Sequence, residues 1–169
     1  MDRLTEAVLL VGHGGVPVDA PPALVAELKQ LEAARMRKGE SQMSEREAEL
    51  DRAIREWPRT KETDPYKWGL EAIAESLAEL IRPRRLDVAY NEFCAPSVDD
   101  AVDRLIAEGF DRITIVTTMF TPGGSHSELE IPAIVEALGR RHPHAEIAYA
   151  WPYRLDDVAA FLAAHIDRT

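Results

Sequence analysis

The chain has 169 residues, a single cysteine and a formal net charge of −10 at pH 7. This length fits one domain that buries a core without disulfides, and one cysteine fits a reducing compartment. So acidic a chain lacks the basic face that binding to nucleic acid needs. We expect no signal peptide, because the first residues lack its charged and apolar regions, and every apolar run is shorter than the about 20 residues that cross a bilayer. We therefore expect a soluble, cytoplasmic protein with no nucleic-acid or membrane partner.

Alternating strand and helix patterns predict an α/β fold. Apolar runs predict four strands, over residues 6–12, 86–92, 111–119 and 145–150. The first and third are almost continuously apolar, as in strands that are covered on both faces. Helical stripes follow the second, third and fourth strands, and the first two of these stripes end at Gly109 and Gly139. This order predicts a three-layer sandwich around a parallel sheet.

Residues 22–81 form a helical insertion after the first strand. Three helical patterns fit there, whereas a simple crossover needs one. A capping box at Ser44 and Glu47 opens the second, and Asp64 followed by Pro65 opens the third. The insertion is an exposed arm, a lid over a site or a dimer contact, and the sequence leaves the three open.

Two histidines follow strands in glycine-rich loops. His13 lies in Gly12-His-Gly-Gly15, and His126 ends Pro122-Gly-Gly-Ser-His126. Ligands bind outside the carboxyl ends of parallel strands, so two such loops on neighbouring strands bring both imidazoles to one sheet edge. Neutral imidazole is a common ligand of divalent transition metals. We predict that His13 and His126 share one metal ion.

The loops around the two histidines are the predicted ligand-binding segments. Glycine permits tight turns and lets a ligand approach the backbone. The residues expected to do so are Gly14, Gly15, Gly123, Gly124 and Ser125.

Nearby carboxylates add acid–base chemistry. Glu92 ends the second strand and is either a ligand or proton acceptor, or a surface residue, depending on a strand parity that the sequence does not fix. Glu128 and Glu130 either orient His126 or hold a metal-bound water, or they only favour the N-terminus of the next helix. That helix is expected to start near Ser127 or Ile131, and in the second interpretation Ser127 caps it.

Other candidate chemistry is weaker. The segment Gly123–Ser127 resembles a hydrolase nucleophile elbow around Ser125 but lacks its final glycine, and no phosphate-binding motif is present. Cys94 is an alternative ligand, although a buried thiol is the simpler expectation. His142 and His144 precede the fourth strand, at the edge opposite His13.

The chain resembles the small sirohydrochlorin cobaltochelatases of the CbiX type, in the chelatase superfamily that includes ferrochelatase. The resemblance implies a single chelatase-like domain over 1–169, which corresponds to one half of the longer, two-lobed enzymes. It also implies that a short chain of this kind pairs with a second copy as a homodimer. It also implies that His13 and His126 bind the incoming metal at the mouth of a tetrapyrrole cleft. Gly15, where the family usually has serine, and the long insertion at about 22–81 depart from the pattern. The resembling segments are Val8–Gly14, Glu92–Ser97, Phe120–His126 and Glu130–Pro132.

The resemblance implies a lyase-type enzyme that inserts Co²⁺, Ni²⁺ or Fe²⁺ into a tetrapyrrole such as sirohydrochlorin and uses no nucleotide. Metallation removes two pyrrole protons, for which Glu92 is the candidate base. The alternative is a non-catalytic metal or tetrapyrrole carrier on the same fold. Because sirohydrochlorin is a polycarboxylate, local cations are expected, and the candidates are Arg59, Lys61, Arg82, Arg84 and Arg85.

Overall fold

The computed structural model describes residues 6–168, which form four strands, six α-helices and one π-helical turn. The strands are β1 (Glu6–Gly12), β2 (Arg85–Tyr90), β3 (Arg112–Thr117) and β4 (Glu146–Tyr149). The helices are α1 (Pro22–Lys38), α2 (Glu45–Arg55), α3 (Pro65–Leu80), α4 (Val98–Ala107), α5 (Ile131–Arg141) and α6 (Leu155–Ile166), and the π-turn is His126–Glu130. The predicted α/β sandwich with a helical insertion after the first strand is confirmed.

All strands of the sheet are parallel, in the order β2-β1-β3-β4. In the register, Gly12 pairs with Tyr90, and Val11 pairs with Thr117. The carboxyl ends of β1, β2 and β3 therefore finish at the same level. The loops that follow these three strands share one edge of the sheet.

Helices cover β1 on both faces, which explains its continuous apolar sequence. Leu9 points into a core formed with α4 and α5, which includes Leu105 and Leu138. Leu10, on the other face, packs with Leu70 of α3. Because successive strand side chains alternate between faces, both faces of β1 need apolar residues.

The insertion folds as a helical hairpin, α1–α2, followed by α3. Leu28 of α1 packs against Leu50 and Ile54 of α2, and this small core also contacts Phe93 beyond β2. The Ser44 side chain accepts a hydrogen bond from the Glu47 amide, as the predicted cap requires. The hairpin thus forms one wall of a cavity at the carboxyl end of the sheet.

Two predictions at α5 were wrong. Ser127 does not cap the helix: its hydroxyl donates to the carbonyl of Met119, 2.8 Å away, and a π-turn precedes α5. Gly139 does not end α5, which continues to Arg141, since a helix interior tolerates glycine at a cost of about 1 kcal/mol.

Helix α6 contributes no buried residue to its own chain. Its apolar side chains are exposed, with Phe161 at 64% and Leu162 at 46%. Across residues 6–168, no helix has the length and apolarity needed to span a membrane.

Candidate metal centre

Backbone pairing beyond the strand ends positions His13. The amides of Asn91 and Glu92 donate to the carbonyls of Gly12 (2.9 Å) and His13 (2.8 Å), so β1 and β2 stay paired past their last strand residues. The hydroxyl of Tyr66, on α3, accepts from the His13 amide at 2.7 Å. These contacts fix the loop that carries His13 against the loop that carries Glu92.

Gly14 makes this close approach possible. Its φ is +97°, and a Cβ built there would lie 1.8 Å from the carbonyl oxygen of Glu92. A side chain at position 14 therefore collides with backbone rather than with a movable group. Gly15 is less constrained, because its nearest neighbour, a carboxylate oxygen of Asp64, would lie 3.3 Å from a Cβ.

The structure brings His13, Glu92 and His126 together. The Glu92 carboxylate lies 3.7 Å from His13 Nε2 and 3.8 Å from His126 Nδ1. The two imidazole rings stand nearly perpendicular, with centroids 4.7 Å apart. One ligand atom from each residue can be chosen so that all lie within 4.8 Å of one another. Metal–ligand bonds of about 2.0–2.2 Å fit a group of this size.

A second ring of contacts surrounds His126. Its Nδ1 lies 2.9 Å from Glu130 Oε2 and 2.9 Å from Asn91 Nδ2. Asn91 Nδ2 also donates to Glu130 Oε2 at 3.0 Å, and Asn91 is only 8% exposed. Sequence reasoning missed Asn91, although its place beside Glu92 at the end of a buried strand was a usable signal.

Two cavities of different chemistry meet at this cluster. The acidic cavity, about 590 Å³, lies between the α1–α2 hairpin and the sheet edge, and eight carboxylates but three arginines line it. Asn91, Glu92 and Glu130 belong to its lining. The histidine cavity, about 310 Å³, is lined by His13 and His126 together with Thr, Met, Phe, Gly and Ser residues and by no carboxylate within the described chain.

Electrostatic repulsion in the acidic cavity is visible at Glu32 of α1. Burial raises the pKa of Glu32 above its ordinary value, and the charges of Glu92 and Glu130 add to this effect, while Arg35 opposes it. The cavity therefore holds more negative charge than its arginines neutralise. Such a surface favours cations.

Two arginines, Arg55 and Arg59, stabilise the loop after β2. The expectation that Arg59 binds a substrate carboxylate was wrong. Arg55 donates to the carbonyls of Asn91 (2.9 Å) and Cys94 (3.1 Å). The Arg59 side chain, 5% exposed, pairs with Asp64 and donates to the carbonyl of Gly15 at 2.8 Å. Arg59 is therefore a structural residue and is not available to bind a substrate carboxylate.

The other basic candidates lie away from the cluster. Arg82 and Arg84 precede β2 and Arg85 begins it, at the end of the sheet opposite the histidines, and Arg85 pairs with Asp87. Lys61 lines a separate cavity against α3. None of these four residues belongs to the lining of the acidic cavity or the histidine cavity.

The loop before His126 is exposed, and hydrogen bonds to Glu128 fix its conformation. The amide of Gly123 donates to Glu128 Oε1 at 2.8 Å, and the Glu128 amide donates to the carbonyl of Gly124 at 3.0 Å. Glu128 thus stabilises the loop, and it is Glu130 that contacts His126. Ser125 is exposed and has helical backbone angles, and within residues 6–168 no hydrogen bond joins its hydroxyl to a base.

The remaining candidates lie outside the cluster. Cys94 is 1% exposed, and burial raises the pKa of its thiol to about 11, so it is a poor thiolate ligand. His142 and His144 follow α5 at the opposite end of the sheet, and His142 pairs with Asp103 at 2.6 Å.

Comparisons with known proteins point to one family. The sequence model of the CbiX family matches residues 62–167, a range that includes Glu92 and His126 but not His13. A sirohydrochlorin cobaltochelatase of Priestia megaterium is 27% identical over 74 residues, 44% of this chain and 24% of that protein. A sirohydrochlorin ferrochelatase of the same organism is 26% identical over 92 residues, 51% of this chain and 34% of that protein.

The fold is shared with a solved structure of nearly equal length. A cobalamin (vitamin B12) biosynthesis CbiX protein from Marinobacter aquaeolei VT8 superposes with a TM-score of 0.56 at 19% identity, over 96% of this chain and 93% of that chain. In contrast, the chain spans about a quarter to a third of the length of the two curated relatives that it matches.

Proposed function

Because the chain belongs to the CbiX family, we propose that it is a chelatase that inserts a divalent metal ion into a tetrapyrrole such as sirohydrochlorin. His13 and His126 hold the incoming ion, and Glu92 helps to hold it and accepts protons from the pyrrole nitrogens. The metal is Co²⁺, Ni²⁺ or Fe²⁺, and it is a substrate of the reaction.

The observation that carries this proposal is the convergence of His13, Glu92 and His126 within 4.8 Å at one sheet edge. Two imidazoles and one carboxylate leave coordination positions open on an ion that prefers four to six ligands, so the ion can pass to another ligand set. A carboxylate beside the ion is also placed to take up the protons that the macrocycle releases. Metallation needs these two features.

The two cavities support a separate place for each substrate. The acidic cavity repels a polycarboxylate macrocycle and attracts a metal cation. The histidine cavity carries no carboxylate among the described residues, and its Met119 and Phe120 offer an apolar surface to a flat ring. Gly124 leaves room there for the macrocycle to approach the backbone. We therefore place the tetrapyrrole on the side of the histidine cavity, beside the glycine loops.

We also propose that the protein is a homodimer. Helix α6 presents Leu155, Phe161 and Leu162 to solvent and buries none of its residues on its own chain. The face of the sheet at β4 that lies opposite α5 is also uncovered, because Ala148 is exposed there. A second copy that covers α6 would remove this apolar surface from water.

The test is a metallation assay with purified protein, sirohydrochlorin and Co²⁺, followed by the absorbance change of the macrocycle. The protein should accelerate metallation over the metal-only blank through many turnovers. His126→Ala should lower the rate at least about 10-fold, because the ion loses one of its ligands. His144→Ala removes a surface imidazole and serves as the matched control.

Two outcomes would contradict the proposal. No acceleration with Co²⁺, Ni²⁺ or Fe²⁺ would exclude a sirohydrochlorin chelatase. Saturable binding of metal or macrocycle without turnover would identify the carrier instead.

A further inference from the structure

The hydrogen bond of His13 identifies which of its ring nitrogens binds metal. Nδ1 lies 2.8 Å from the carbonyl oxygen of Gly14. A carbonyl only accepts hydrogen bonds, so Nδ1 of the neutral ring carries the proton. The lone pair is then on Nε2, which is the atom that lies 3.7 Å from Glu92.

The contacts of His126 lead to the same arrangement by a different route. Glu130 Oε2 lies 2.9 Å from Nδ1. A carboxylate also only accepts, and a lone pair on Nδ1 at this distance would repel it. With the proton on Nδ1, the carboxylate accepts from the ring and from the amide nitrogen of Asn91, 3.0 Å away.

Asn91 Nδ2 lies 2.9 Å from His126 Nδ1 as well as 3.0 Å from Glu130 Oε2, so its N–H groups can face either atom. With the proton on Nδ1, the ring and the amide both donate to the carboxylate, and such charge-assisted hydrogen bonds are roughly twice as strong as the neutral bond from the amide to the ring nitrogen. The charge of Glu130 therefore favours Nδ1–H, and the orientation of the Asn91 amide fits this form. Turned over, its oxygen would lie about 3.0 Å from the Glu130 carboxylate, so that two acceptors would face each other. Asn91 is buried directly after β2, and since its Oδ1 has no hydrogen-bond partner among the described residues, its side chain is held through Nδ2. It therefore fixes Glu130, and Glu130 fixes the ring of His126.

Glu130 and Asn91 line the acidic cavity, whereas His126 and His13 line the histidine cavity. Glu92 also approaches His126 at Nδ1, at a distance of 3.8 Å. Because both carboxylates lie on the Nδ1 side of the ring, we place Nε2 on the side of the histidine cavity.

We propose that Glu130 and Asn91 are positioning residues that hold His126 as its Nδ1–H tautomer, so that both histidines offer Nε2 to the metal ion. The inference rests on the proposed function for the role of the histidines as ligands. The tautomer itself is a property of the metal-free protein, so its test can fail or succeed independently of chelatase activity.

The experiment is long-range ¹H–¹⁵N NMR of histidine-labelled, metal-free protein at about pH 8.5, where imidazoles are ordinarily neutral. His13 and His126, assigned by substitution, should both show a protonated Nδ1. Glu130→Leu should move His126 towards the Nε2–H form. Glu130→Gln keeps an acceptor oxygen and should retain Nδ1–H. Glu136→Leu removes an exposed glutamate from α5 and is the control.

Metal affinity supplies the second measurement. A titration with Co²⁺, read by its visible absorption, should show about a 10- to 100-fold weaker Kd for Glu130→Leu and a smaller loss for Asn91→Leu. Glu136→Leu should bind as the wild type does. An Nε2–H tautomer of His126 in the wild type, or an unchanged tautomer in Glu130→Leu, would overturn the inference. Unaltered NMR tautomers in a protein that does not metallate sirohydrochlorin would overturn the proposed function alone.

Discussion

Single residues at the strand ends decide what the site can bind. Gly14 lets the loops after β1 and β2 touch, and Glu92 reaches both histidines as a result. Negative charge beside these residues attracts a cation but destabilises the empty protein. This cost is most evident at Glu32, because its burial and the neighbouring carboxylates raise its pKa.

Removing the charge of Glu32 should stabilise the metal-free protein at neutral pH. The folded state holds the Glu32 proton more tightly than the unfolded state, whose glutamates titrate near pH 4.3. Its favourable contribution is therefore present below that pH and is lost as the pH rises through the raised pKa. Glu32→Gln should raise Tm at pH 7 but not at about pH 4, as measured by calorimetry. Glu75→Gln, on the exposed face of α3, is the control. An equal effect at both pH values would contradict the charge argument.

Among the secondary-structure elements, the helical insertion α1–α3 determines the shape of the site, because it is fixed to the loop after β1. Arg59, just after α2, joins Asp64, the cap of α3, to the loop of Gly15. The ion pair is buried, so both charges depend on each other. The hairpin consequently stays close to the sheet edge and walls the acidic cavity.

Breaking this buried pair should cost far more than breaking a surface pair. Asp64→Ala leaves the Arg59 charge unpaired and removes the cap of α3, so the free energy of unfolding should fall by about 3–5 kcal/mol in urea titrations. Asp64→Asn keeps a capping side chain and separates the two effects. Glu79→Ala breaks the exposed pair with Arg82 and should cost under about 1 kcal/mol. Equal losses for Asp64→Ala and Glu79→Ala would refute the role of the buried pair.

Local patterns were enough to predict the elements and their order. Apolar runs and the caps at Ser44 and Asp64 act within a few residues, and both caps form as expected. The approach of Glu92 to the histidines needed the register of β1 against β2, which no local pattern contains. The same limit explains why Arg59 was misjudged.

The residues that contact His126 could not be predicted from the sequence either, because they meet it only through the fold. Asn91 lies 35 residues before His126 in sequence, and the two meet only because β2 and β3 flank β1. The π-turn brings His126 and Glu130 together, while the sequence suggested an ordinary helix start. Carboxylates near a predicted helix N-terminus have two explanations, and only the distances separate them.

In the molecule as a whole, the main feature that the single chain does not explain is the exposed apolar face of α6. Exposed apolar side chains along one helix are typical of a surface that another molecule covers. The α5 side of the sheet is closed, whereas the other side is open at Ala148 of β4. A homodimer accounts for both features.

A charge on the apolar face of α6 should dissociate the proposed homodimer. Phe161→Asp places a carboxylate among side chains that a partner would bury, so the mass by sedimentation should fall from twice the chain mass to that of one chain. Ala160→Asp adds the same charge to the opposite face of α6 and should remain dimeric. A wild-type protein that sediments as a monomer at micromolar concentration would exclude the homodimer.

One metal ion should be held by both strand-end histidines, His13 and His126. A crystal structure of the protein with Co²⁺ tests it most directly, because it shows the ligand atoms. We predict a single ion between His13 and His126, bound through Nε2 of each ring, with a carboxylate oxygen of Glu92 beside it. Cobalt bound elsewhere, such as at His142 and His144, with no ion between His13 and His126, would contradict the assignment of the two histidines as metal ligands.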